Sequence, residues 1–254
     1  MNTYTIIPLL VAIIYKVIKP GPLFPGVPDA QEQVPIVAYL ITGGDSPILV
    51  DTGPCPPDVS LKTHYRMVED NSMLLVNRLA AHGCKPEDIN TVVNTHLHWD
   101  HCYNNSLFPH ADIYVQEKEL EFAANPLPNQ YSFYDAFQMG RTPAWVGASG
   151  RFKMIDGDYR LAEGIELVHL PGHTPGSMGV LVDTERGRHL IAGDCVPNLA
   201  LWENREFGLP LPAAIHVDTA AYYKTYRKIL DMEAHVIPSH DFKALEPVYP
   251  SQQS

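Results

Sequence analysis

Cysteine is scarce in this chain, four residues in 254, and Cys55, Cys84, Cys102 and Cys195 share no Cys-x-x-Cys spacing. That excludes a disulfide-stapled scaffold and a cysteine-rich zinc ribbon, and it fits a cytoplasmic, reducing location. Basic residues are also in the minority, with 18 Lys and Arg against 29 Asp and Glu for a net charge of −11, and they are scattered. Nucleic-acid binders concentrate basic charge on one face, so nucleic acid is excluded as a partner, and a membrane surface is disfavoured with it. A long hydrophobic run is missing as well. The apolar stretch from Ile6 to Ile14 contains Pro8, is followed by Lys16 and Lys19, and is too short to span a bilayer. With no basic segment before it and no small-residue cleavage site after it, it reads as a buried first strand. No Ser/Gly tract, low-complexity run or block of like charge offers a linker, so residues 1–254 read as one domain. The 45% hydrophobic fraction is ample for its core.

What the chain does have is histidine, packed into one short run. Asn94-Thr-His-Leu-His-Trp-Asp-His101 places His96, His98, Asp100 and His101 within six positions. Imidazole nitrogen and carboxylate oxygen are donors that a borderline metal such as zinc prefers, and crowding them is unfavourable unless a cation takes their lone pairs. If the run enters as a strand, alternation puts His96 and His98 on one side. A turn at Trp99 then swings Asp100 and His101 toward a second, adjacent position.

Three more donors follow, each at the end of an apolar strand pattern. His173 sits in Leu-Pro-Gly-His-Thr-Pro-Gly-Ser, a rigid turn after Ile165–Leu170. Asp194 follows His189-Leu-Ile-Ala-Gly, and His240 follows Ala234-His-Val-Ile-Pro-Ser. Cys102 and Cys195 each come directly after a donor, but neighbours on an extended chain point opposite ways, so both read as small buried side chains.

Strands are expected at about 4–14, 35–43, 47–51, 90–95, 111–115, 165–170, 177–183, 188–193 and 235–238, with Gly43–Ser46 as a hairpin turn. Helices are expected near 68–83, 116–124 and 218–232, the last capped by Asp218. The stretch from about 117 to 150 is expected to supply a cap over the cleft, its later part being rich in Pro, Gly and aromatic residues. Two strand-rich halves with helices outside predict an α/β fold with two sheets between helix layers.

In its ordered series of motifs the chain resembles the metallo-β-lactamase superfamily over nearly its whole length. Val50-Asp51-Thr-Gly53 looks like the family's early Asp-Thr-Gly turn, and the His-x-His-x-Asp-His run, the His173 turn, the Asp194 turn and His240 follow in family order. Within the superfamily it looks most like the N-acyl-homoserine lactonase group, in its opening Tyr4–Val11, in Val34–Ile41 and in the ending Ser239-His-Asp241. The resemblance implies the αβ/βα four-layer sandwich, two mixed sheets flanked by helices. It implies that His96, His98 and His173 hold one metal, that Asp100, His101 and His240 hold another, and that Asp194 bridges them. Two Zn2+ per chain are the first choice, with Fe, Mn or Co as other divalent occupants. Asp51 would orient an imidazole through its free N–H. A hydroxide shared by the metals would attack a lactone carbonyl, with Asp100 carrying its proton to the leaving alkoxide.

One position departs from the group. A tyrosine that assists the substrate carbonyl is expected three residues after the bridging aspartate, and here that residue is Pro197. Either Asn198 or a nearby tyrosine takes over, or the substrate differs. Tyr131, Phe133, Trp202 and His216 are further candidates for substrate contact. The implied function is a dinuclear hydrolase opening an N-acyl-homoserine lactone or a related small lactone. Amide or thioester hydrolysis on the same site is the alternative, and a non-catalytic metal-binding protein is the remote one. The partner is then a small molecule, and a homodimer is compatible with everything above.

Overall fold

The structure, a computed structural model, describes residues 3–18 and 30–246; Lys19 and the two ends of the expected 1–254 domain lie outside the described residues. Twelve strands are described: β1 (Thr5–Ile18), β2 (Ala30–Thr42), β3 (Ile48–Val50), β4 (Arg66–Val68), β5 (Thr91–Val93), β6 (Asp112–Gln116), β7 (Phe152–Ile155), β8 (Tyr159–Ala162), β9 (Ile165–His169), β10 (Met178–Thr184), β11 (Gly187–Ile191) and β12 (His235–Ile237). Between them lie α1 (Pro57–Thr63), α2 (Leu75–Ala81), α3 (Trp99–Cys102), α4 (Glu117–Ala124), α5 (Tyr131–Tyr134), α6 (Leu199–Glu203) and α7 (Thr219–Asp231).

The strands form two mixed sheets, ordered β4-β1-β2-β3-β5-β6-β7 and β12-β11-β10-β9-β8. The first is antiparallel through β1, β2 and β3 and parallel from β3 through β5 and β6 to β7. The second is antiparallel except for the parallel pair β11–β12. Strand β2 shows why the layers stack as they do. Its apolar run is unbroken, so both faces must be covered. Val37, Tyr39 and Ile41 join Leu167, Val180, Val182 and Ile191 in the core between the sheets. Their neighbours Ile36, Ala38 and Leu40 face the other way, against Leu75 and Leu79 of α2. On the far side of the second sheet, Leu181 and Leu190 pack on Tyr222, Tyr226 and Ile229 of α7. The result is helix, sheet, sheet, helix, the four-layer sandwich that the resemblance implied.

The expected first strand is β1, hydrogen-bonded along its length to β2. Pro8 is accommodated because β4 pairs with β1 only at residues 13–15, leaving the proline on an open flank. A register shift between Leu10 and Ala12 bulges the strand, and Arg78 Nε donates to the Leu10 carbonyl at 2.9 Å.

The expected helix at 68–83 is shortened to α2 and preceded by β4. The Asp70 carboxylate accepts from Ser72 N, Ser72 Oγ and Met73 N, a local turn that competes with the helix backbone. Helix α7 starts where expected, with the Asp218 side chain capping Ala221 N at 2.9 Å. Among the described residues, no helix is long and apolar enough to cross a membrane.

Candidate active site

The donors gather where loops of the two sheets meet. Strand β5 ends at Val93, and the chain turns through His96 and His98 into the single helical turn α3, which carries Asp100 and His101. The second sheet supplies the rest: His173 after β9, Asp194 after β11 and His240 after β12. Potential ligand atoms of His96, His98, His173 and Asp194 lie within 4.8 Å of one another, and so do those of Asp100, His101 and His240. All seven residues singled out by the sequence are therefore brought together, in two adjoining groups.

Asp194 stands between them. Its Oδ2 lies 3.3 Å from His173 Nε2 and 3.9 Å from His96 Nε2, while its Oδ1 lies 3.0 Å from His240 Nε2 and 3.3 Å from His101 Nε2. Asp100 Oδ2 is 3.6 Å from His240 Nε2 and 3.8 Å from His101 Nε2. The carboxylate of Asp194 is held in turn by Ser239 Oγ, which donates to Oδ1 at 2.7 Å.

Three of the five imidazoles are oriented by an acceptor at the other nitrogen. His101 Nδ1 meets Asp51 Oδ2 at 2.8 Å, His173 Nδ1 meets the Ile215 carbonyl at 2.8 Å, and His240 Nδ1 meets the Pro35 carbonyl at 3.0 Å. These acceptors fix the proton on Nδ1 and leave Nε2 as the free donor atom. Asp51 has φ 58° and also accepts Thr95 N and Thr95 Oγ1, both at 2.8 Å, so it braces the loop entering His96.

Glycines set the two later turns. Gly193 has φ 53°, and a Cβ there would stand 2.8 Å from Thr95 Cβ. Gly172 has φ 143°, and a Cβ would stand 2.5 Å from Tyr222 Cα. The turn carrying His173 thus lies directly on α7, with Val217 N and Asp218 N both donating to the Gly172 carbonyl at 3.0 Å.

The donor set suits a pair of cations. Nε2 of His96 is buried with no hydrogen-bond partner, an expensive state for a polar atom unless something takes its lone pair. Burial pushes His96 and His98 well below the ordinary histidine range, and neighbouring histidines add to the effect. His173 is lowered by burial too. Neutral imidazole is the form that ligates. For His101, burial is outweighed by Asp194, Asp100 and Asp51, which raise it well above that range. Burial of Asp194 is likewise outweighed by His240, His101 and His173, which hold the carboxyl well below its usual range. Zinc–nitrogen bonds of about 2.0–2.1 Å at tetrahedral angles separate two ligand atoms by roughly 3.3 Å. The separations of Asp194 from its four histidines run from 3.0 to 3.9 Å.

Beside the donors opens a cavity of about 250 Å³. His98, Asp100, His173, Asp194 and His240 form its polar end, and its walls include Tyr65, Trp99, Phe133, Asn198, Leu201 and Ile215. Of the candidate substrate contacts, Phe133 and Asn198 line it. The Asn198 Oδ1 caps α6 through Leu201 N, and the neighbouring Pro197 contributes both a wall and the carbonyl that accepts His240 N at 2.8 Å.

Tyr131, Trp202 and His216 do not line the cavity. Trp202 packs against Tyr226, ring centroids 5.7 Å apart. His216 is occupied at both nitrogens, by the Ala213 carbonyl and by Thr219 Oγ1. From the stretch 117–150, the expected cap, Phe133 reaches the cavity, while Tyr134 and Trp145 are buried with Leu97 and Cys102 beneath it. The thiols of Cys102 and Cys195 donate to the carbonyls of Leu97 and Leu170, away from the donor groups. Tyr65 and Trp99 are cavity residues that the sequence did not flag, Tyr65 because it sits in a short loop without periodicity.

Comparison with known proteins agrees with this fold. The family profile of the Metallo-beta-lactamase superfamily matches residues 32–240. An N-acyl homoserine lactonase from a Bacillus species is 31% identical over 170 residues, covering 63% of this chain and 62% of that protein. The matched stretch thus spans less than two thirds of that relative's length. The N-acyl homoserine lactonase AttM of Agrobacterium fabrum (strain C58) is 29% identical over 226 residues, covering 84% of each chain. Among solved structures, an N-acyl homoserine lactone hydrolase with N-hexanoyl-L-homoserine bound at its catalytic metal centre superposes with a TM-score of 0.70 at 21% identity. That superposition covers 95% of this chain and 94% of that one, a likeness of fold.

Proposed function

We propose, for a chain that belongs to the metallo-beta-lactamase superfamily, that it is a dinuclear zinc hydrolase opening the ring of an N-acyl-homoserine lactone or a related small lactone. The observation that carries this reading is the position of Asp194, one oxygen toward His96 and His173 and the other toward His101 and His240. A carboxylate so placed would serve both cation positions. His96, His98 and His173 would hold one of them, and Asp100, His101 and His240 the other. When bound, the pair supplies Lewis acidity for a carbonyl oxygen and lowers the pKa of water from about 16 to about 7.

The remaining work falls to the chain. The polar end of the cavity receives the ester carbonyl, and the walls from Phe133, Leu201 and Ile215 accept an apolar substituent and exclude water. Water adds to the carbonyl carbon, the ring C–O bond breaks, and the alkoxide oxygen must gain a proton to leave. Asp100 lines the cavity within 4 Å of His101 and His240, and it is the carboxylate placed to take a proton from water and return it to that oxygen. Asn198, with its Oδ1 engaged by Leu201 N, keeps an amide N–H available to a substrate oxygen. The relatives named as N-acyl homoserine lactonases support the acyl-homoserine choice. Pro197 at the cavity wall, where that group is expected to carry tyrosine, favours the second choice, another small lactone.

The test is ring opening across a lactone panel by zinc-loaded protein, followed by proton release, with Asp100→Asn alongside. Turnover of acyl-homoserine lactones that is lost in the variant is the expected result. Turnover restricted to other γ-, δ- or aromatic lactones would select the second choice. Silence across the panel with two zinc ions bound would overturn the lactone reading in favour of amides or thioesters.

A further inference from the structure

Glu119, the third residue of α4, is 0% exposed. A buried carboxylate is unfavourable unless donors fill its lone pairs, and here four do. Its Oε1 accepts Leu97 N at 2.9 Å and the Tyr134 hydroxyl at 2.7 Å, its Oε2 accepts the Thr174 hydroxyl, and Gly176 N also donates to it. These partners have a common address. Leu97 lies between His96 and His98, Thr174 follows His173, and the Tyr134 ring meets His98 edge-on with centroids 4.6 Å apart. Gly176 lets the two segments close up, since a Cβ there would stand 2.2 Å from Glu119 N. The other donor group is held by different means, His101 by Asp51 and His240 by the Pro35 carbonyl.

We propose that Glu119 is a positioning residue for one metal alone, tying together the segments that carry His96, His98 and His173 so that three imidazoles converge on one cation. The proposal rests on the two-metal reading above. Residues that hold metal ligands in place commonly change metal affinity about 10–100-fold when replaced.

The experiment is zinc titration of apoprotein against a chromophoric chelator. Glu119→Gln is placed in two backgrounds: His240→Ala, which disables the second group, and His173→Ala, which disables the first. The expected result is zinc binding weakened at least about 10-fold in the His240→Ala background and unchanged in the His173→Ala background. Equal weakening in both would mean a general structural role, and no change in either would mean no role; each overturns the proposal. If Glu119→Gln does not fold, as judged by circular dichroism, the double variant Thr174→Val/Tyr134→Phe removes two of the four donors and is read by the same two comparisons. A wild-type protein that does not take up two zinc ions would instead overturn the two-metal reading, and this proposal with it.

Discussion

His64 lies flat on Trp99, with ring centroids 4.0 Å apart and planes 5° from parallel. Trp99 is the residue between His98 and Asp100, and it lines the cavity. On its edge, His64 Nε2 meets Asp135 Oδ2 at 3.1 Å, and Asp135 Oδ1 accepts from Arg141 at 2.8 Å. The loop after α1, the donor loop and the stretch after α5 are thereby fastened to one another.

Replacing His64 by Ala removes the stack and one partner of a buried carboxylate, and it should destabilise the protein by about 2–3 kcal/mol. His64→Phe keeps the stacking surface and should cost less. Urea unfolding of the two variants, compared at equal m-value, checks the order; equal losses would mean that the stack contributes nothing.

Asp51 accepts from His101 Nδ1 and from both polar groups of Thr95. Asp51→Ala should weaken zinc binding at the group of Asp100, His101 and His240 by about 10–100-fold. Chelator competition in a His173→Ala background measures it directly.

The donors were legible in the sequence because each lies within a short motif at the end of an apolar strand, where the local pattern fixes both exposure and direction. The cavity wall was not legible in the same way. Tyr65, Leu201 and Ile215 come from loops and a short helix whose only common property is where the sheets place them. Trp202 and His216 looked equally suitable by residue type, yet one packs on Tyr226 and the other is saturated by Ala213 and Thr219. The helix expected at 68–83 starts late for a local reason, the side-chain turn at Asp70, which apolar spacing does not register. Layering was readable only as two strand-rich halves with helices outside; that the alternating neighbours of β2 feed two different cores emerges from the structure.

Gly172→Ala should be among the most damaging single-methyl changes in the chain. Its φ of 143° is strained for any L side chain, and the new carbon would meet the backbone of Tyr222 at 2.5 Å. A loss of at least about 2 kcal/mol is expected, with His173 displaced and zinc uptake reduced in step. Thermal unfolding and metal content of the purified variant test it. Gly140→Ala, with no atom within 4 Å but also at positive φ, separates backbone strain from collision.

Cys55 is fully buried, and its thiol is pushed up to about 12, chiefly by burial and then by Asp135 and Asp100. A raised thiol pKa means less thiolate at any given pH, so alkylation stays slow until the solution approaches that value. All four cysteines are buried. Native protein at pH 8 should therefore resist iodoacetamide, and urea should release four reactive thiols, counted by mass. Rapid labelling of Cys55 in the folded state would contradict its enclosure.

Asp100→Asn keeps the size and one acceptor oxygen of the residue but removes its capacity to carry a proton. Turnover should fall by about 10²–10⁴-fold while the unfolding midpoint changes little. A variant that retains full turnover would move the proton transfer to another group.

Apart from Trp99, set among the donors, and Pro197 and Asn198, close behind Asp194, walls and donors occupy different pieces of chain. Tyr65, Phe133, Leu201 and Ile215 belong to segments that supply none of the seven donor side chains. Substitutions along those segments can remodel the shape offered to a substrate while the reacting groups stay where the strand ends put them. Such a layout lets one chemistry be retargeted by surface change alone, so a chain like this one can diverge from its relatives in what it accepts long before it diverges in what it does.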